Sequence, residues 1–184
     1  MKGLNDMVYI ILADGFEEVE AIEPLDIMRR CGIDAVTVSL GADIVTGAHG
    51  VAVRPDITID KIDPDKMEAL VLPGGAPGYQ NLDASPSVHA LINHALTGGR
   101  YLCAICAAPS ILGKKQILSG KNATCFPGFE SYLYGANVLN DRVVVDGKII
   151  TSRGAGTAAD FGFAIASALC GEDKANEIKR TMQY

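Results

Sequence analysis

The sequence predicts an α/β protein, an open and mostly parallel sheet with helices on both faces. Three observations carry the prediction. Segments 7–12 (MVYIIL), 69–72 (ALVL) and 100–105 (RYLCAI) are nearly all apolar, as parallel strands buried on both sides are. Amphipathic segments of helical length alternate with them. The chain of 184 residues suffices for one domain with a real core and is too short for two ordinary ones.

In chain order, strand 7–12 is followed by a helix over 18–30, which Cys31-Gly32 ends. Segment 35–40 (AVTVSL) is the second strand, and 45–59 is a small extended excursion turned at Gly47 and Gly50. After strand 69–72, Ser85 caps and Pro86 opens a helix over 85–97. Strand 100–105 runs into a helix over 107–114, and 122–125 (NATC) is a short strand. Strands 142–145 and 148–151 flank Asp146-Gly147, a hairpin signal. Helices over 157–169 and 173–182 close the chain, divided by Gly171. With no repeat, linker or low-complexity tract, residues 1–184 read as a single domain.

Sixteen basic and 22 acidic side chains give a net charge of −6, and no basic cluster exceeds a pair, which argues against nucleic acid as a partner. No apolar run approaches the ~20 residues that span a bilayer. Residues 1–6 are polar without a signal-peptide pattern, so a cytoplasmic location is expected. Five cysteines in such a chain read as reduced thiols rather than a disulfide framework.

Ligands of open α/β sheets sit beyond the carboxyl ends of the strands. Three segments fall there: 13–20 (ADGFEEVE), 73–78 (PGGAPG) and Cys106. Cys103 and Cys106 resemble a redox pair, but an extended chain separates them by about 10 Å, beyond disulfide reach. Zinc would need further ligands, and His49, His89 and His94 make no cluster with the cysteines in sequence. Cys106 alone is more informative. Ala104 and Ala108 flank it two residues away on each side, the pattern of a nucleophile elbow, where a strand turns sharply into a helix. A thiol at a helix N-terminus is expected to favour thiolate. Gly74 and Gly75 can bring backbone amides close to a substrate oxygen, and with the Ala107 amide they are the expected oxyanion donors. Glu17 and Glu18 fit as first-turn acids, while the face of Glu20 is ambiguous. If buried beside a thiol, Glu20 would titrate with it as a pair and hold a proton to donate. Cys31, Cys125 and Cys170 are expected to pack as small hydrophobes.

Four stretches, "ILADGFEEVEAIEPLDIMRRCGI", "ALVLPGGAPGYQNL", "AICAAPSILG" and "IITSRGAGTAADFGFAIASAL", resemble the ThiJ/PfpI family across nearly the whole chain. Within it they are similar to the branch of YajL and the parkinsonism-associated protein deglycase. The resemblance implies a flavodoxin-like three-layer sandwich, of the class I glutamine amidotransferase-like kind, and a homodimer. It implies Cys106 as nucleophile, Glu20 as its protonated partner, and Gly75 and Ala107 as amide donors. Activities attached to the family are glutathione-independent conversion of methylglyoxal, removal of glycation adducts, and redox sensing or chaperoning; none calls for a metal or organic cofactor. Many relatives carry a histidine near the thiol, whereas "TCFPG" has Phe126 there, which disfavours a PfpI-type peptidase. "TGAHGV" puts His49 where some relatives have an arginine. Asp26 and Arg153 are further candidates for the surroundings of the thiol.

Overall fold

The computed structural model describes residues 6–184; the polar segment discussed above therefore lies, but for Asp6, outside the described residues. The chain runs β1 (Met7–Leu12), α1 (Glu18–Arg30), β2 (Ala35–Ser39), β3 (Val45–Thr46), β4 (Ala52–Val53), β5 (Ile57–Thr58) and β6 (Met67–Leu72). It continues through α2 (Gly78–Asp83), α3 (Pro86–Thr97), β7 (Tyr101–Ile105), α4 (Pro109–Lys114), β8 (Asn122–Ala123) and β9 (Asn137–Val138). The last elements are β10 (Val143–Asp146), β11 (Ile149–Ser152), α5 (Ala158–Cys170) and α6 (Glu172–Thr181).

Seven strands form the main sheet in the order β10-β11-β7-β6-β1-β2-β5. All neighbours are parallel except the β10–β11 hairpin at one edge. The expected α/β sandwich is thus the fold. Alternation along each strand divides the core into two layers. Val8, Ile10 and Leu12 of β1, with Cys103 and Ile105 of β7, face α1 and α5. Tyr9 and Ile11, with Leu102 and Ala104, face the layer that includes Val88, Leu91 and Ile92 of α3 and Ile111 and Leu112 of α4. Each fully buried aliphatic side chain in these layers contributes about 1.5–3 kcal/mol.

Several elements differ from expectation. Segment 122–125 contributes only β8, which pairs with β9 in a separate two-stranded sheet. Thr124 leaves the ladder because its N–H donates to the Thr151 hydroxyl at 2.9 Å. The helix expected from Ala107 begins at Pro109, since the turn at Cys106 uses the intervening residues. The excursion 45–59 resolves into the β3–β4 hairpin and β5, which extends the main sheet beyond β2. Among the described residues no helix is long and apolar enough to cross a membrane.

Candidate active site

Strands β1, β6 and β7 lie side by side, so their carboxyl ends bring three distant segments together. From β7 comes Cys106, with φ at +66°. A non-glycine residue in this left-handed region costs about 1–3 kcal/mol and persists only when its surroundings hold it. Here its N–H donates to Ser152 O at 3.0 Å, and its carbonyl accepts from Phe126 N at 2.8 Å. Ala104 and Ala108 are fully buried, leaving no room for larger side chains beside the turn. The elbow expected from the small-residue pattern is therefore present.

From the loop after β1 comes Glu20, in the first turn of α1 and fully buried. From the loop after β6 comes Gly74, whose N–H donates to Glu20 Oε2 at 2.8 Å. A Cβ at residue 74 would lie 2.7 Å from Glu20 Oε2, 2.6 Å from Cys106 Cβ and 3.0 Å from Cys106 Sγ. Only glycine lets the backbone approach carboxyl and sulfur this closely. The other carboxyl oxygen, Oε1, is buried and has no hydrogen-bond partner among the described residues. Burial, aided by the charge of Glu17, pushes the Glu20 pKa up to about 7, against hydrogen bonds from Gly74 N and the Cys106 thiol.

Burial and the Glu20 charge push the Cys106 thiol up to about 12, while the amides of Gly75 and Ala107 pull the other way. This corrects the expectation that helix polarity favours thiolate. α4 has six residues and starts three positions beyond Cys106, and burial beside a carboxylate outweighs it. When Glu20 holds a proton its charge no longer opposes the thiolate. The pair then shares one proton between a carboxyl and a sulfur that faces two amide donors.

The remaining candidates divide. The Gly75 and Ala107 amides pull the Cys106 pKa down, whereas the Gly74 amide is taken by Glu20 and is not free for a substrate oxygen. Asp26 does not join the site: it pairs with Arg30 at 2.6 Å on the exposed side of α1, half-exposed itself. His49 Nδ1 lies 3.0 Å from Glu18 Oε2 and 3.5 Å from Glu17 Oε1. Among the described residues no hydrogen bond joins it to Glu20 or Cys106. Its bonds with Glu18 and the nearby acids raise the His49 pKa. Glu17, Glu18 and His49 place ligand atoms within 4.8 Å of one another, which the hydrogen bonds of His49 with Glu18 and its ion pair with Glu17 already explain.

Phe126 is 45% exposed and forms part of a cavity of about 430 Å³ with Arg153, Arg142 and residues 154–157. Arg153 bonds the carbonyl of Asn140 at 3.1 Å, leaving its charge at this wall. Gly154 went unnoticed in the sequence. A Cβ there would lie 3.2 Å from the Phe126 ring and 3.9 Å from Glu20 Oε1, so its backbone passes over the acid. The signal was the glycine-rich "SRGAGT" directly after an apolar strand. Cys103 points into the layer facing α1 and α5, where burial raises its pKa, and both it and Cys106 are free thiols.

A strained cysteine elbow, with a buried carboxyl and two backbone amides around the sulfur, on a parallel α/β sheet, defines the class of α/β cysteine-elbow proteins. Residues 6–168 match the DJ-1/PfpI family, and the chain belongs to it, in the branch of DJ-1 (Parkinson disease protein 7). It is 38% identical to protein dj-1beta of Drosophila melanogaster over 180 residues, 96% of each chain. The crystal structure of that Drosophila protein superposes with a TM-score of 0.91, covering 98% of both chains at 36% identity. Oxidised Toxoplasma gondii DJ-1 superposes at 0.93, with 29% identity over 97% of this chain and 98% of the other. A protein of Pyrococcus horikoshii named as a deglycase is 33% identical over 149 residues, 79% of this chain and 89% of the relative.

Proposed function

We propose that the protein is a cysteine-dependent enzyme for reactive dicarbonyls or their glycation adducts, of the glutathione-independent glyoxalase and deglycase type. The observation that supports this best is the pairing of Cys106 Sγ with a Glu20 carboxyl whose pKa lies near neutrality. A group that both gives and takes protons at neutral pH is what isomerisation of a 2-oxoaldehyde requires. The sulfur adds to the aldehyde carbon and Glu20 delivers its proton to the carbonyl oxygen, giving a hemithioacetal. Glu20, now a carboxylate, removes the hydrogen from that carbon, and the proton returns at the neighbouring carbon through an enediol. The product is a thioester, which water hydrolyses to the 2-hydroxy acid and the free thiol. The amides of Gly75 and Ala107 stabilise the oxyanions along this route. The cavity beside Phe126 and Arg153 admits the substrate. The naming of relatives as deglycases agrees with this reading.

The test is glutathione-free consumption of methylglyoxal with chiral detection of lactate, in wild type, Cys106→Ser and Glu20→Gln. Turnover by wild type and its loss in both variants is the expected result. Absence of wild-type turnover with Cys106 reduced would overturn the reading. That outcome favours a second one, a redox sensor or chaperone acting through oxidation of Cys106. A relative solved in oxidised form supports it, as do the acid and amides placed to hold oxygen atoms on the sulfur. We also propose a homodimer. Val19 and Ile22 of α1 and Val51 of the β3–β4 turn are large apolar side chains left exposed.

A further inference from the structure

We propose that Cys31 and Cys170 form a second redox centre, a dithiol that a peroxide converts to a disulfide joining the ends of α1 and α5. Cys31 is the C-cap of α1, and Cys170 is the last residue of α5. The two helices pack closely along their length. A Cβ on Gly162 of α5 would stand 2.9 Å from Pro24 Cα of α1. Cys31 belongs to the apolar cluster between the sheet and these helices, Cys170 packs against the same cluster, and the Cys170 side chain is among the causes that raise the Cys31 pKa. Cys31 packs in the apolar core as a small hydrophobe, as expected, while Cys170 is only half-buried at its edge.

The two sulfurs are unlike in a way that orders the chemistry. Cys31 is 6% exposed, and burial pushes its pKa up to about 11. Cys170 is half-buried, and its Sγ–H donates to Ala166 O at 3.1 Å on the outer turn of its helix. Cys170 is therefore the sulfur that meets the oxidant. Its thiolate attacks one peroxide oxygen, the O–O bond breaks, and Cys170 becomes a sulfenic acid with release of hydroxide. Cys31 sulfur then attacks the Cys170 sulfur, and the sulfenic oxygen leaves as water with the Cys31 proton. In sum two thiols are oxidised and one peroxide is reduced to two waters. The carboxyl near Cys106 takes no part, so this centre stands or falls apart from the proposed enzyme activity.

The experiment uses the full chain, both wild type and Cys106→Ser, treated with hydrogen peroxide. Peptide mapping without reductant is expected to show a fragment linking residues 31 and 170. The intact Cys106→Ser protein loses about 2 Da, reversibly with dithiothreitol. A bond closing so long a loop also raises the melting temperature, by about 5–10 °C. Cys31→Ser and Cys170→Ser, added singly to Cys106→Ser, each abolish the mass loss and the shift. The proposal is overturned if no linked fragment forms in the wild-type chain. It is equally overturned if the two thiols instead gain oxygen independently, or if the linked fragment involves Cys103 or Cys125.

Discussion

Glu20 is asked to be buried and to titrate near neutrality, and both demands have measurable consequences. Its carboxyl titrates at about 7 in the folded chain, raised from 4.5 by burial. Below pH 4.5 both folded and unfolded chains hold the proton, and the folded state keeps its full advantage. Between these values only the unfolded chain ionises, so stability falls as pH rises, by about 3 kcal/mol in all. Glu20→Gln removes this loss. Urea unfolding at pH 5 and pH 8 should show the variant gaining on wild type by about 2.5 kcal/mol at the higher pH, while dicarbonyl turnover is lost. The same titration sets activity. The singly protonated pair forms as pH rises through about 7, so kcat/KM for methylglyoxal should climb about tenfold per pH unit below 7 and level off above it. A profile flat from pH 5 to 8 would exclude Glu20 as the titrating group. Gly74→Ala places a methyl group between carboxyl and sulfur. It should cost about 100-fold or more in kcat/KM, since displacements of an ångström carry penalties of this size.

At the level of elements, the contact between α1 and α5 decides where Glu20 stands. Gly162→Val would drive a side chain into Pro24 and Ile27 of α1. Overpacking of this kind costs about 1–3 kcal/mol, and chemical denaturation should show it together with reduced turnover, because α1 must shift. The strands of the inner sheet were legible because burial on both faces leaves an unbroken apolar run, as in β1 and β6. The elbow was legible because alanine at 104 and 108 is a steric requirement written directly in composition. The face of Glu20 was not. Val19 and Ile22 are apolar yet exposed, so α1 shows no clean stripe, and only contact with the loop after β6 reveals the buried side. Strands β5 and β9 have two residues each, too few to display any period. Asp26 looked like a neighbour of the thiol because it shares a helix with Glu20; six residues on, the helix has turned it to the outside, where Arg30 takes it.

For the whole molecule, the exposed apolar side chains of α1 and the β3–β4 turn lead to a test of assembly. Ile22→Glu should convert the proposed dimer to a monomer in sedimentation at micromolar concentration, without loss of helical signal. A wild-type chain that sediments as a monomer would remove the dimer. The order of strands carries a further consequence. The acid enters from β1, the Gly74 and Gly75 amides from β6, and the thiol with the Ala107 amide from β7; these strands are neighbours in space but follow one another in sequence only across two crossovers. A growing or refolding chain that has paired β1 with β6 holds the carboxyl and the Gly74 and Gly75 amides, but neither the sulfur nor the Ala107 amide. The sulfur reaches its strained posture only after β11 and the segment around Phe126 also bind its backbone. Assembly of the centre is thus a checkpoint on completion of the sheet, and partly folded chains keep a cysteine of ordinary temperament.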